Sequence, residues 1–359
     1  DKKVCVVGLG YIGLPTALMF SDCDMDVVGL DVDDLLVKDI SEGVSKIPEV
    51  DVQRLLKRAL GSGRFHVTTT PEVAGVYILA VPTPLDRAGK PDLSFVFDAL
   101  MSFLPLLRKG DMVMIESTSS VGTTDHMVGL IESERPDLVI RGREKPDINV
   151  CYCPERILPG NTIHELKNND RIIGGITRGC AERAENLYRL FVKGQCFITD
   201  ARTAELAKLS ENAYRDVNIA FANELSMLCD NSGIDVWELI RLANRHPRVD
   251  ILNPGPGVGG HCIAVDPLFI VDQDRDVAKL IAEARRTNDR KTEWVVSKII
   301  SEVAKLNKES SNILTVCFLG LSFKANVGDV RNSPALDIVR NCMHLDVKIL
   351  VVEPYLKEL

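Results

Sequence analysis

The sequence predicts an α/β fold: an N-terminal doubly wound parallel sheet of Rossmann type, a central helical region with one long helix, and a partial second Rossmann-type domain at the C-terminal end. Three observations predict it. Short apolar runs ending at Gly or Asp alternate with helical periodicity through the first 200 residues. A helical pattern without Gly or Pro then runs from Ala201 to Asn231. Strand and helix patterns resume at Ile313. The expected domains are therefore 1–200, 201–306 with the long connecting helix, and 307–359.

Val4-Cys5-Val6-Val7 is an apolar run stopped at Gly8, the pattern of a buried parallel strand. Helical spacing follows from Gly13 to about Ser21, and Val27 to Leu30 forms a strand ending at Asp31. Further strands are expected at Val76–Val81, Met112–Glu116, Ile148–Cys151 and Arg171–Gly174. Helices around Asp51–Leu60, Ser94–Leu107 and Thr123–Glu134 separate them, as in a doubly wound sheet. After the long helix come helices at Val236–Ala243 and Val277–Lys305. The polar run Asn307-Lys308-Glu309-Ser310-Ser311 is expected to be a linker. Beyond it, Ile313–Leu319 and Val347–Val352 are strands on either side of a helix at Pro334–Cys342. That is roughly half of a second dinucleotide-type domain.

A length of 359 residues allows two or three domains, and 45% apolar residues supply their cores. A net charge of −8 argues against general nucleic-acid binding, though not against a small anion held by local arginines. The ten cysteines are scattered without C-x-x-C or Cys/His spacing, so they are expected to be reduced, in a cytoplasmic protein, with no metal. No apolar run reaches membrane-spanning length, and no signal-peptide pattern opens the chain.

Gly8-x-Gly10-x-x-Gly13 sits directly after a strand and opens a helix. There Gly8 permits the tight turn, Gly10 lets backbone approach a pyrophosphate, and Gly13 lets helix and strand pack closely. Asp31 ends the next strand, where a carboxylate binds ribose hydroxyls and repels a 2′-phosphate. NAD is thereby favoured over NADP. Ala80-Val81-Pro82-Thr83-Pro84 ends a strand on the same ligand edge, or is a plain turn.

The segment Gly255-Pro256-Gly257-Val258-Gly259-Gly260-His261-Cys262-Ile263-Ala264-Val265-Asp266-Pro267 must be an irregular loop presenting one thiol. Most free cysteines are buried apolar residues, and that reading suits the other nine. The glycine and proline density fits it poorly at Cys262. A thiol facing a nicotinamide cofactor points to covalent capture of an aldehyde. Asp266 is either a turn residue or a base or water-positioning group. On the long helix Lys208, Asn212 and Arg215 share a face at i, i+4 and i+7, with Leu209, Ala213 and Val217 on another. A solvated polar stripe is the plain alternative. Glu116-Ser117-Thr118 and Glu155-Arg156 fall near the sheet edge that carries the glycines.

Taken in order, these motifs resemble the UDP-sugar 6-dehydrogenase family over nearly the whole chain. The resemblance runs through Val7–Pro15, Val81–Pro84, Glu116–Gly122, Tyr152–Gly160, Glu205–Glu224, Gly255–Pro267 and Gly320–Pro334. Trp237–Arg248 and the cysteine loop are most similar to the UDP-N-acetyl-D-mannosamine branch, which makes uronate precursors of surface polysaccharides. The resemblance implies that Cys262 is the nucleophile and Lys208 its charge-stabilising or proton-transferring partner. Asp266, Thr118 and Asn212 would position water and the sugar O6, and Glu155 would be the acid beside the hydrolytic step. Tyr11, Ile12, Asp31, Thr83 and Thr118 would contact NAD, joined by Arg331 from the third domain. Arg156, Ile157, Arg215, His246, Arg248, Gly259, Phe323 and Lys324 would surround the nucleotide sugar. The family is dimeric or larger, and a long mid-chain helix commonly pairs with its symmetry mate. After Glu155 the chain reads Arg156-Ile157-Leu158-Pro159, where UDP-glucose enzymes carry an acid further along, which fits an N-acetylated sugar.

The implied chemistry is a four-electron oxidation. The C6 alcohol becomes an aldehyde, Cys262 traps it as a thiohemiacetal, a second oxidation gives a thioester, and water releases the acid. A neighbouring Lys208 ammonium would lower the thiol pKa. UDP-GlcNAc and UDP-glucose are alternative substrates. The rivals are a two-electron dehydrogenase, which needs no thiol, and a protein that binds NAD or nucleotide sugar without turnover.

Overall fold

The structure of the chain, a computed structural model, describes residues 3–157, 160–309, 313–325 and 327–356. Leu158, Pro159, Ser310, Ser311 and Asn326, which belong to segments singled out above, lie outside the described residues. The chain divides into two compact units, Asp1–Lys208 and Leu209–Leu359.

In the first unit, strands and helices follow in the order β1 (Lys3–Val7), α1 (Gly13–Asp22), β2 (Asp26–Leu30), α2 (Asp34–Ser41), α3 (Val50–Ser62), β3 (Phe65–Thr68), β4 (Val76–Leu79), α4 (Ser94–Phe103) and β5 (Met112–Ile115). Then come α5 (Thr123–Glu134), β6 (Asn149–Tyr152), α6 (Thr162–Asn168), β7 (Arg171–Gly175), α7 (Arg178–Tyr188), β8 (Cys196–Asp200) and the start of α8 (Ala201–Ser232). The sheet order is β3-β2-β1-β4-β5-β6-β7-β8. Strand β1 shows why it forms. Val4 and Val6 enter one buried cluster while Cys5 and Val7 enter the other, so alternate residues fill both faces.

The sheet is parallel from β3 through β6, but β7 pairs antiparallel with β6, and β8 runs parallel to β7. The expected doubly wound sheet is thus mostly parallel, with one antiparallel pair. Among the described residues the connection from β6 to β7 holds the seven-residue α6, and the chain re-enters the sheet from the carboxyl end.

The second unit contains the rest of α8, then α9 (Val236–Ala243), α10 (Asp266–Gln273), α11 (Lys279–Glu309), β9 (Thr315–Leu319), α12 (Pro334–Cys342) and β10 (Lys348–Val352). Strands β9 and β10 pair in parallel, with Thr315 opposite Lys348 and Leu319 opposite Val352, on either side of α12. The expected linker needs correction. Asn307, Lys308 and Glu309 are the last residues of α11, because nothing in this stretch of good helix formers stops propagation. Nor are the other nine cysteines all buried: Cys317 is exposed, and Cys23 and Cys196 are half-buried.

Candidate active site

In the first unit the strand order reverses between β1 and β4, which opens a crevice at their carboxyl ends. The glycine turn lies at that edge. Gly8 has φ +89°, and its amide donates to the Leu30 carbonyl at 2.8 Å. A Cβ on Gly13 would sit 1.8 Å from the Gly8 oxygen, so only glycine lets α1 start this close to β1. At Gly10 a Cβ would meet nothing within 4 Å, so the backbone there is open to a ligand. Helix α1 has no side-chain N-cap and no acid in its first turn, which leaves its positive end for an anion. Asp31 is braced by the Leu9 amide at 2.7 Å and the Asp33 amide at 3.0 Å, and stays half-exposed. These residues fit a dinucleotide. Thr83 follows β4 and Thr118 follows β5, both half-buried; Tyr11 and Ile12 are half-buried beside the turn.

Behind this edge lies a cluster of buried and half-buried charge. Glu49 accepts hydrogen bonds from the Tyr11 hydroxyl, the Gly160 amide (2.9 Å), the Thr162 amide (2.9 Å) and the Thr162 hydroxyl (2.7 Å). Burial alone would raise its carboxyl, but these donors hold it below the usual range. Glu116 is fully buried, takes bonds from Tyr188 (2.5 Å) and Thr16 (3.2 Å), and lies 3.7 Å from Arg171. Burial pushes its carboxyl up to about 7, against the pull of Arg171. Glu155 pairs with the same guanidinium at 2.7 Å. Arg156 donates to the Asp170 carbonyl, and Ile157 packs against the apolar core. Burial also pushes the Cys153 thiol up to about 12, so it is no nucleophile.

The second unit holds the cysteine loop. Cys262 is exposed, and its carbonyl accepts from the amides of Val265 (3.1 Å) and Asp266 (2.8 Å), so the thiol sits on the turn entering α10. Asp266 is the first residue of α10 and is buried, and Asn212 donates to its Oδ2 at 2.6 Å. That is more than a turn residue needs. The Gly260 amide donates to the Arg331 carbonyl at 3.1 Å, and the Asn332 side chain donates to the Gly260 carbonyl at 3.2 Å. Gly260 has φ +83°, and a Cβ there would lie 2.8 Å from the Phe323 ring. Asp329, bound to Arg331 through both carboxylate oxygens, raises the guanidinium pKa. Burial opposes the rise, and Cys262 adds to it.

Lys208 is buried on α8, one turn before Asn212, whereas Arg215 on the same helix is exposed, so the three do not form a uniformly solvated stripe. His246 and Arg248 form an exposed turn after α9, the Arg248 amide lying 3.4 Å from His246 Nδ1. Lys324 is exposed, and the backbone at Gly259 packs on Phe323. The reading missed Glu49, Arg171 and Tyr188 in the first unit, and Asp216, Asn223 and Asn288 in the second. The only sequence signal for the last three was polar residues inside otherwise helical patterns. Among the described residues no His, Cys, Asp or Glu group is placed to hold a metal, and no helix is long and apolar enough to cross a membrane.

Residues 2–192 match the NAD binding domain of the UDP-glucose/GDP-mannose dehydrogenase family, 202–290 its central domain and 317–359 its UDP binding domain. The cofactor of the crevice is therefore NAD. The NDP-N-acetyl-D-galactosaminuronic acid dehydrogenase of Ralstonia nicotianae is 50% identical over 361 residues, covering 100% of this chain and 84% of that protein. The UDP-N-acetyl-D-mannosamine dehydrogenase of Yersinia pestis is 49% identical over 365 residues, covering 100% and 87%. Among solved structures, the UDP-N-acetyl-mannosamine dehydrogenase of S. aureus superposes with a TM-score of 0.90 at 42% identity, over 99% of this chain and 84% of the other. The glycine crevice, the exposed thiol and these matches along the whole chain have one explanation: the chain belongs to the UDP-glucose/GDP-mannose dehydrogenase family.

Proposed function

We propose that this chain oxidises the C6 hydroxyl of a UDP-N-acetylhexosamine, in first place UDP-N-acetylmannosamine, to the uronate. Each turnover consumes one alcohol, two NAD⁺ and one water, and yields one carboxylate, two NADH and three protons. The observation that carries the reading is an exposed Cys262 on a turn that leads straight into a buried Asp266 held by Asn212.

Bound NAD⁺ supplies a hydride acceptor for each of the two oxidations. Asp266 and Lys208 manage the proton at the C6 oxygen, with Asn212 fixing the carboxylate. Cys262 adds to the aldehyde, and the thiohemiacetal so formed is oxidised to a thioester that water hydrolyses. Lys208 stabilises the oxyanion of each tetrahedral state, an effect worth about 10²–10³ in rate. Thr118 and Glu155 assist the hydrolytic water. Tyr11, Ile12, Asp31, Thr83, Thr118 and Arg331 contact the cofactor, bound by residues 1–200. Arg156, Ile157, Arg215, His246, Arg248, Gly259, Phe323 and Lys324 contact the nucleotide sugar, whose UDP falls to residues 307–359, and residues 201–306 connect the two. The enzyme is cytoplasmic and works as a homodimer or larger through α8. That helix exposes Tyr214, Phe221 and Leu228 at seven-residue intervals. Its product feeds surface polysaccharide synthesis.

The galactosaminuronic relative at 50% identity favours a second reading, a galacto-configured N-acetyl sugar. NADH production with UDP-ManNAc, UDP-GalNAc, UDP-GlcNAc and UDP-glucose side by side separates the two. Two NADH per sugar are expected; one would mean a plain alcohol dehydrogenase, and none a binding protein. Cys262→Ala is expected to stop acid formation while leaving NAD binding intact.

A further inference from the structure

The base of the cysteine loop is tied to a buried chain of amides inside the second unit. Asn223 Oδ1 accepts the Gly255 amide at 2.8 Å, and Asn223 Nδ2 donates to Asn288 Oδ1 at 2.8 Å. Asn288 Nδ2 donates to Asp216 Oδ1 at 2.7 Å and to the Asp216 carbonyl at 3.0 Å. Arg285 then closes the chain on Asp216 Oδ1 at 2.6 Å. Asp216, Asn223 and Asn288 are each completely buried. Ser226 and Lys291 support the same point, the Ser226 hydroxyl donating to the Asn223 carbonyl while taking a 2.6 Å bond from Lys291.

The chain has a direction. An ionised carboxylate and a carbonyl only accept, so Asn288 must turn its NH₂ toward Asp216. Its oxygen then faces Asn223, which must answer with its own NH₂. The oxygen left over on Asn223 is what meets the Gly255 amide. One charge, paired with Arg285, thus sets both amide orientations and delivers an acceptor to the loop seven residues before Cys262. In an interior of low dielectric, a reversed amide would leave two acceptors facing each other and a buried N–H unpaired.

We propose that Asn223 and Asn288, oriented by Asp216, are positioning residues that hold the Cys262 loop in its reactive placement. The proposal rests on the reading of Cys262 as nucleophile. A loop displaced by about 1 Å loses about 10² in rate.

The test uses steady-state kinetics of the full-length enzyme with UDP-ManNAc and NAD⁺. Asn223→Ala, which deletes the anchor, should lower kcat about 100-fold with KM for NAD⁺ unchanged. Asn223→Asp keeps an acceptor for Gly255 but faces the Asn288 oxygen, and should also lower kcat. Thr292→Val is a milder probe in case those variants misfold. It removes the 2.9 Å bond from the Thr292 hydroxyl to the Pro256 carbonyl and should slow both kcat and iodoacetamide labelling of Cys262. Wild-type kcat in folded N223A or N223D, or unchanged labelling and kcat in T292V, would overturn the proposal. Acid production by Cys262→Ala would instead overturn the nucleophile reading beneath it.

Discussion

The two glycine-rich loops are built on opposite principles. The glycine turn of the first unit is shaped locally: Gly8, Gly10 and Gly13 set its path within six residues, and Leu30 and Asp31 at the end of the next strand brace it. The cysteine loop of the second unit is specified from afar. Its anchors are Asn223, 32 positions upstream of Gly255, and Asn332, 72 positions beyond Gly260. Backbone chemistry suffices to bind a pyrophosphate, which makes the same demands of any fold. Placing one sulfur against one carbon needs side chains that neighbouring sequence does not supply.

The largest test of this contrast is Gly13→Ala. The new Cβ would lie 1.8 Å from the Gly8 oxygen and 3.1 Å from the Ala80 Cβ, with no flexible side chain to yield. Overpacking of this kind costs about 3 kcal/mol or more, so both thermal stability and NAD affinity should fall. Gly10→Ala separates the two effects. Its Cβ meets no protein atom within 4 Å, so melting should be unchanged while NAD binding weakens, because the methyl occupies the ligand's approach. An unchanged NAD affinity in Gly10→Ala would move the pyrophosphate elsewhere.

Asp31→Asn comes next. The carboxylate orders the turn through the Leu9 amide, besides its proposed contact with the ribose, and bonds to a charged group contribute about 1.5–3 kcal/mol. KM for NAD⁺ should rise about tenfold or more, and discrimination against NADP⁺ should shrink. Comparing the two coenzymes at equal concentration checks both.

This contrast also explains what could be read from the residues alone. The Gly-x-Gly-x-x-Gly turn, the strands β1, β2, β4 and β5, and the uninterrupted α8 announce themselves because local spacing dictates them. Strands β3 and β8 escaped, since Phe65–Thr68 and Cys196–Asp200 are short and hold few buried apolar residues. The reversed β7 escaped because direction depends on how far a connection carries the chain. Glu49, Arg171, Asn223 and Asn288 escaped for a single reason. A polar residue in a helix, in a loop or at a strand end looks solvated until its partners, 38 positions away in the case of Tyr11 and Glu49, are in place.

Burial also raises the proton affinity of Glu116 in the first unit, to about 7, and of Asp216 in the second, to about 6. A raised carboxyl binds its proton more tightly in the fold than in the unfolded chain. Its contribution to stability is complete below the ordinary carboxylate range and is lost as pH rises through the folded value. Glu116→Gln should therefore cost more stability at pH 5 than at pH 8, as read by urea unfolding at both. Equal losses at the two values would mean that the carboxyl is already ionised at pH 5.

Cys317→Ser has the smallest expected effect and sharpens the contrast from the other side. Cys262 and Cys317 are both exposed, so exposure alone does not distinguish the two thiols. Cys317 lies in the middle of β9, a regular strand paired with β10 at Leu350, with no loop and no amide chain to aim it. Its replacement should leave kcat unchanged and stability within about 0.5 kcal/mol, because it removes no buried contact. Iodoacetamide should then label one thiol fewer per chain, and the activity lost on labelling should follow Cys262 alone. If inactivation instead slowed in Cys317→Ser, reactivity in this protein would follow exposure and not placement.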